Sequence, residues 1–372
     1  MARVTIVQVA VVCHRASDIV VQHNPDTLLA FHQLLITLIL SVVLGRLFQD
    51  FFISRNSIPA QDVVSEPAEI PLRQLSAVSS VEDGVNGVHR LEDEVSGAKF
   101  IFKPRDEEAY APGNTKNRVG EIGDWSPLKK GHKVGSSVLK EVAAFLMDHD
   151  GFAGVPFTEV ARVPFGDTIK EGSLQTFVDN CGSAEDFSDS KFSVRDVHAI
   201  GLLDIRLANL DRHSGNMLVV DNGSKLVPID HGYSLPHYTQ LSDISFDWIS
   251  WKHAAEPFSD EEKTYVRKID FVKDAYKLLS LGLEAGNVMT YILSTIFLKV
   301  AVEKNLTLSQ IGSMMQRSWC SPDSMSQFES IVSKCLSNYQ GIPLEDALVS
   351  ASSQDTLQNF LHSFAQECVL AM

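Results

Sequence analysis

Between Leu207 and Gly232 the chain reads LANLDRHSGNMLVVDNGSKLVPIDHG, a stretch that leaves few folds open. Two apolar runs, NMLVV and KLVPID, flank the residues Asp221 to Ser224. Asp/Asn-Gly between apolar runs is the strongest short-range hairpin signal, because these residues tolerate positive φ. A hairpin of this length sets Asn216, near the start of its first strand, beside Asp230, at the end of its second. An amide oxygen and a carboxylate at one strand edge suit a hard cation. Mg²⁺ fits best, since it takes one or two carboxylates together with phosphate oxygens. Asp211 stands five residues before Asn216, within reach of a hydroxyl proton. The spacing builds a metal–nucleotide phosphoryl-transfer site.

The flanking sequence supplies two unlike halves. From Val81 to Pro104, short alternating runs broken by Gly predict β-hairpins, and KFIFKP reads as a buried strand stopped by Pro104. Residues 105–135 are polar and loop-like. SSVLKEVAAFLMDHDG predicts a helix with Ser137 as N-cap and Val138, Val142, Phe145 and Leu146 on one face. VARVPF and SLQTFV read as further strands. Beyond Ser193 the chain turns helical, with capping-box-like starts at Ser193 to Asp196, Ser259 to Glu262 and Thr307 to Gln310. The fold class is therefore α+β and two-lobed. A β-rich N-lobe spans 81–178, a mostly helical C-lobe 179–330 and a helical tail 331–372, with the site between the lobes.

Composition narrows the partners. A net charge of −15 argues against a nucleic-acid surface. Five cysteines, scattered and without a C-x-x-C pair, argue against a disulfide framework or a zinc site and for a reducing, cytoplasmic setting. Residues 53–80, rich in Ser, Pro and Glu, read as a linker. Residues 27–45 carry no formal charge. Their length fits either a membrane span or anchor, or a helix packed on a lobe.

The order of motifs carries a resemblance. DRHSGN followed by IDHG resembles the catalytic and metal-binding loops of phosphatidylinositol 3-/4-kinases. FIFKPRDEEAYAP, LKEVAAFLMDHDGFAGVP, GLLDIRLANLDRHSGNMLV, LVPIDHGYSLP, FDWISWKHA and STIFLKVAVEKNLTLSQIGSMMQR follow in one order between Ser80 and Arg317. Together they look like the plant-type gamma subgroup of phosphatidylinositol 4-kinases, relatives of the type II enzymes. The resemblance implies a kinase-like fold, ATP and Mg²⁺ as cofactors, and phosphatidylinositol phosphorylated at the inositol 4-hydroxyl. It also implies a cytoplasmic enzyme working peripherally at a membrane.

The residue roles follow from the same resemblance. Lys103 becomes the strand lysine on the nucleotide phosphates and Glu141 its helix partner. Gly84 and Gly87 shape the turn over the phosphates, and Gln175, Thr176, Phe177 and Val178 form the hinge beside the adenine. Asp211 is the catalytic aspartate, His213 lies near the transferred phosphate, and Asn216 and Asp230 bind Mg²⁺. Residues from Gly232 through Trp251 face the acceptor. The turn has fewer glycines than is usual in the family, and no ubiquitin-like domain is expected in residues 1–80. Trp248 and Trp251 read as core, with membrane contact as the rival reading. Lys129, Lys130, His132 and Lys133 read as a solvated loop, with attraction for an anionic headgroup as theirs. For the whole chain the rivals are a protein Ser/Thr kinase on the same scaffold and a nucleotide-binding scaffold without turnover.

Overall fold

A computed structural model describes residues 70–81, 84–339, 344–349 and 354–372; the apolar stretch 27–45 and the linker up to residue 69 lie outside the described residues. Five antiparallel strands come first: β1 (Ser76–Ser80), β2 (His89–Glu92), β3 (Lys99–Pro104), β4 (Thr158–Phe165) and β5 (Thr168–Thr176). Their order across the sheet is β1-β2-β3-β5-β4. Leu91, Phe102, Ala161, Val163 and Leu174 form the sheet's buried cluster, with Leu75, Phe100 and Phe165 packed against it. β1 corrects the sequence reading, which ran the linker through Ser80. SAVSS is almost wholly exposed and shows no apolar face. It is a strand because it pairs with β2, from Ser76 opposite Glu92 to Ser80 opposite His89. Pairing context of this kind outweighs intrinsic propensity.

Helix α1 (Ser137–Met147) packs on β4 and β5. Its N-cap is Ser136, not Ser137, and neither hydroxyl caps it. The Ser136 Oγ donates to the Lys133 carbonyl at 2.6 Å, while the Ser137 N–H donates to the Glu108 carboxylate at 3.1 Å. An acid brought in from the 105–135 segment thus satisfies a free N–H and the positive end of the helix dipole. The expected face also differs. Val138 and Val142 are buried, but Leu146 is 37 % exposed, and Lys140 and Glu141 are buried instead. A helix side that buries charge through partners elsewhere in the chain carries no apolar periodicity to read.

Lys140 shows how such a charge is accommodated. Its ammonium donates to His132 Nδ1 at 2.8 Å, and His132 Nε2 donates to Glu108 at 2.7 Å. Burial, helped by the Lys140 charge, holds His132 down to about 4 against the pull of Glu108, and burial lowers Lys140 to about 7. The unfolded chain therefore binds a proton at His132 below about 6.5 that the folded chain refuses until about 4. Stability from this residue is complete above that window and lost as pH falls through it. The loss is at most roughly 3 kcal/mol, at 1.36 kcal/mol per pKa unit. Urea melts at several pH values between 7 and 4 should show a shallower acid loss for His132→Gln than for the native chain. Parallel curves would refute the assignment.

The second lobe holds α2 (Val194–Leu207), a hairpin of β6 (Met217–Val220) and β7 (Lys225–Pro228), then α3 (Asp260–Lys268), α4 (Phe271–Leu281), α5 (Ala285–Glu303), α6 (Leu308–Met315), α7 (Gln327–Ser337), α8 (Leu344–Val349) and α9 (Gln354–Ala371). α5 is long and apolar enough to cross a membrane, yet every residue from Gly286 to Val302 is buried in the protein. It packs against α2, α3, α4, α8 and α9. Its polar side chains bond inward: Asn287 to the Leu235 carbonyl at 2.7 Å, Thr290 to that of Pro236 at 2.6 Å, Ser294 to that of Arg206 at 2.6 Å. A helix apolar on all sides and buried along its length is a core helix.

Ser259 and Thr307 form full capping boxes, and Ser326 with Glu329 adds another. Ser193 makes only half of one, since the Asp196 carboxylate accepts from the Leu226 N–H in β7 instead. Trp248 is fully buried and Trp251 tilts onto Phe192, with ring centroids 5.5 Å apart.

Candidate active site

The site is built on a buried ion pair. α2 ends at Leu207, one residue short of Ala208, whose φ of 45° turns the chain out of the helix. Asp204, in the last turns of α2, is fully buried and gathers three donors. Arg212 Nε lies 3.0 and 3.1 Å from its two oxygens, Asn209 Nδ2 3.1 Å and Trp248 Nε1 3.0 Å away. Burial lifts the Asp204 carboxyl above its ordinary value, and Arg212, Trp248 and Asn209 offset part of that rise. Arg212 Nη1 then donates to the carbonyls of Asn216 and Ile229, the latter at 2.8 Å. One guanidinium therefore staples both strands at the open end of the β6–β7 hairpin. Sequence reasoning assigned no role to Asp204 or Arg212. The available signal was an acid within the apolar run AIGLLDI.

The hairpin itself forms where Asp221 to Gly223 placed it, with Val220 opposite Lys225 and Met217 opposite Pro228. The Ile229 N–H donates to the Asn216 carbonyl at 3.0 Å, so the register sets Asn216 opposite Ile229, the residue before Asp230. Asp230 itself has a φ of 54°, a left-handed conformation costly for a residue with a Cβ. It is held on both sides: Ile229 by Asn216, and the His231 N–H by Glu141 Oε2 at 3.0 Å. The other Glu141 oxygen binds Lys103 Nζ, which also reaches Asp230 Oδ1 at 3.0 Å. Gly232 follows because a Cβ there would stand 3.1 Å from the Cβ and Oγ of Ser137.

Electrostatics favour charge on Lys103 and Asp230, while burial pushes the Glu141 carboxyl above its ordinary value. Burial alone would discharge Lys103, but Asp230 and Glu141 hold its ammonium well above the usual lysine range. Burial likewise opposes ionisation of Asp230, and Lys103 overcomes it, so the carboxyl stays below its ordinary value. The Asp230 side chain remains 39 % exposed. It lines a recess with Asn86, Gly87, Lys103, Glu141 and Ser173.

Asp211 lies in the connection between α2 and β6. Its N–H donates to Asn209 Oδ1 at 2.8 Å, its carbonyl accepts from Asn216 Nδ2 at 3.0 Å, and its carboxylate meets Lys129 Nζ at 2.9 Å. Because the Asn216 amide nitrogen is spent on Asp211, a cation would be met by Oδ1. Among the described residues no group of three or more His, Cys, Asp or Glu could hold a metal. The Asn216 and Asp230 oxygens beside the Lys103 recess are of the donor type that suits Mg²⁺, which keeps several non-protein ligands. His213 is exposed, and its Nδ1 accepts from the Gly215 N–H at 3.1 Å, a local backbone duty.

The remaining expected residues divide. Gly84 has a φ of +80° and open space around it, whereas a Cβ on Gly87 would fall 2.0 Å from Glu107 Oε2. Gly87 is thus required by close packing against the 105–114 segment, to which its N–H is also bonded at 2.9 Å through the Glu107 carbonyl. Gln175 is buried in β5 and donates to Thr158 Oγ1 at 2.9 Å, so its side chain cross-links the sheet. The Thr176 and Phe177 N–H groups bond the carbonyls of Phe157 and Lys99, each at 2.9 Å, and the Val178 carbonyl accepts from Asn180. From there the Cys181 N–H reaches the Val219 carbonyl at 2.9 Å, which ties this connection to the hairpin. The lysine loop is only partly solvated: Lys130 is exposed, but Lys129 contacts Asp211 and His132 is fully buried.

A five-stranded lobe carrying a lysine paired to a helix glutamate, above a helical lobe carrying the D-R-H-x-x-N and D-x-G loops, defines a kinase-like fold. Residues 98–311 match the family model of phosphatidylinositol 3- and 4-kinases, and the chain belongs to that family. It is 38 % identical over 301 residues to phosphatidylinositol 4-kinase gamma 4 of Arabidopsis thaliana, covering 71 % of this chain and 53 % of that one. It is also 38 % identical over 292 residues to phosphatidylinositol 4-kinase gamma 4 of Oryza sativa subsp. japonica, covering 74 % and 49 %. The chain thus spans about half the length of these relatives. Among solved structures, the Helicobacter pylori proinflammatory kinase CtkA aligns over 65 % of this chain and 96 % of its own, at 11 % identity and a TM-score of 0.26. That likeness is too loose to inform the fold.

Proposed function

We propose that this chain is an ATP- and Mg²⁺-dependent phosphotransferase whose acceptor is the inositol 4-hydroxyl of phosphatidylinositol, working at a cytoplasmic membrane surface. The observation that carries the reaction class is the convergence of Lys103, Glu141 and Asp230 beside the Asp211–Asn216 loop. The acceptor rests on the names of the relatives.

The chemistry asks little covalent work of the protein. Lys103, kept protonated by two carboxylates, presents fixed positive charge to the nucleotide phosphates. Glu141 holds that ammonium in place. Asp211 orients the attacking hydroxyl and accepts its proton, from a backbone fixed by Asn209 and Asn216. Asn216 and Asp230 would hold Mg²⁺, which when bound supplies neutralisation of phosphate charge. The acceleration comes from positioning and preorganised charge.

Labelled ATP offered with phosphatidylinositol vesicles and, separately, with a generic protein substrate tests this reading. Label is expected in the lipid, as the 4-phosphate, and should vanish with EDTA. Label in protein alone would reassign the acceptor. Nucleotide binding without any transfer would leave a scaffold.

A further inference from the structure

We propose that Lys129 is a positioning residue for phosphoryl transfer, acting through Asp211; this rests on the function proposed above. The lysine arrives from the long polar segment between β3 and α1, which no motif of the catalytic loops includes. Its ammonium lies 2.9 Å from Asp211 Oδ1 and donates to the Leu210 carbonyl at 2.9 Å. The two contacts hold one carboxylate oxygen against the catalytic loop and leave the other for an acceptor hydroxyl. A base works only within hydrogen-bond reach of its proton, and small misplacements of such groups cost large factors in rate.

The backbone behind Lys129 is anchored as a reach of this kind requires. The Lys130 N–H donates to Asp243 at 2.9 Å, and the Gly131 N–H to Gln240 at 3.0 Å. The Gly131 carbonyl accepts from the His237 N–H at 2.8 Å. Gly131 has a φ of +72°, and a Cβ there would stand 2.7 Å from the Gln240 carbonyl. His132 is locked between Glu108 and Lys140, and Lys133 pairs with Glu284 at 2.9 Å. Lys129 to Lys133 therefore form a strap running from the catalytic loop, across the segment after Gly232, to α1. The lysine and aspartate side chains are 24 % and 32 % exposed. A pair that open adds little to folding, so removing it should act on catalysis far more than on stability.

The test compares Lys129→Met and Lys129→Arg with the native chain, alone and with Asp211→Asn. Each is assayed on whichever acceptor the native chain phosphorylates, alongside nucleotide affinity and thermal midpoint. Lys129→Met is expected to lower kcat on the order of tenfold or more, with KM for ATP, nucleotide affinity and midpoint near native. Lys129→Arg should recover most of the rate. In the Asp211→Asn background, Lys129→Met should cost nothing further.

A native kcat in Lys129→Met overturns the proposal. So does a loss that persists undiminished in the Asp211→Asn background, or one that tracks a lowered midpoint and weakened nucleotide binding. A native chain that transfers phosphate to no acceptor overturns the function and this proposal together. An active native chain with an indifferent Lys129→Met overturns this proposal alone.

Discussion

Asp211→Asn should give a folded chain that binds ATP about as well as the native one and transfers phosphate on the order of a thousandfold more slowly. The substitution keeps the shape of the side chain. It leaves intact the backbone contacts that fix the loop, from the Asp211 N–H to Asn209 and from Asn216 to the Asp211 carbonyl. What disappears is the charge and the capacity to take a proton. Single-turnover transfer measured beside equilibrium nucleotide binding separates the two effects. A rate within threefold of native would move the catalytic role to another group. A collapse of nucleotide affinity would mean that the aspartate serves binding instead.

The largest expected effect on stability lies at Asp204. Replacing it with Ala strands the Arg212 guanidinium in a fully buried place and removes the acceptor for Trp248 and Asn209. Breaking one side of a buried pair costs about 3–5 kcal/mol, much of it the cost of the charge left behind. Arg212 also staples Asn216 to Ile229, so the folded fraction should lose phosphotransfer as well. Denaturant melts of Asp204→Ala and of the double variant Asp204→Leu with Arg212→Met give the comparison. The double variant should be the less destabilised, because no buried charge is orphaned. A single variant within about 1 kcal/mol of native would show the pair to be incidental.

The parts legible in sequence share a physical character. The hairpin was legible because Asp221 to Gly223 demand a turn that few other residues accept, and the turn then dictates which residues face each other. Two helices of the second lobe announced themselves through the caps at Ser259 and Thr307. Lys103 and Glu141 sit 38 positions apart, and only the resemblance joined them before the structure placed them in contact.

What stayed hidden was polar and buried by distant partners. Lys140, His132 and Glu108 satisfy one another within the fold, so the segment that carries two of them reads as a wet loop. Asp204 and Arg212 are eight residues apart, and their pairing depends on the bend at Ala208. β1 exists only because β2 offers an edge. Pattern along a chain reports side chains that seek oil; it is silent about those that seek each other.

The double grip of Glu141 has a dynamic consequence. One carboxylate holds the strand lysine with one oxygen and the His231 N–H with the other. A shift of α1 by the reach of a single bond would unseat both at once, and with His231 goes the strained bend at Asp230. Lys103 would keep its contact to Asp230 but lose its helix partner. Through that one carboxylate, the placement of α1 is tied both to β3 and to the bend at Asp230.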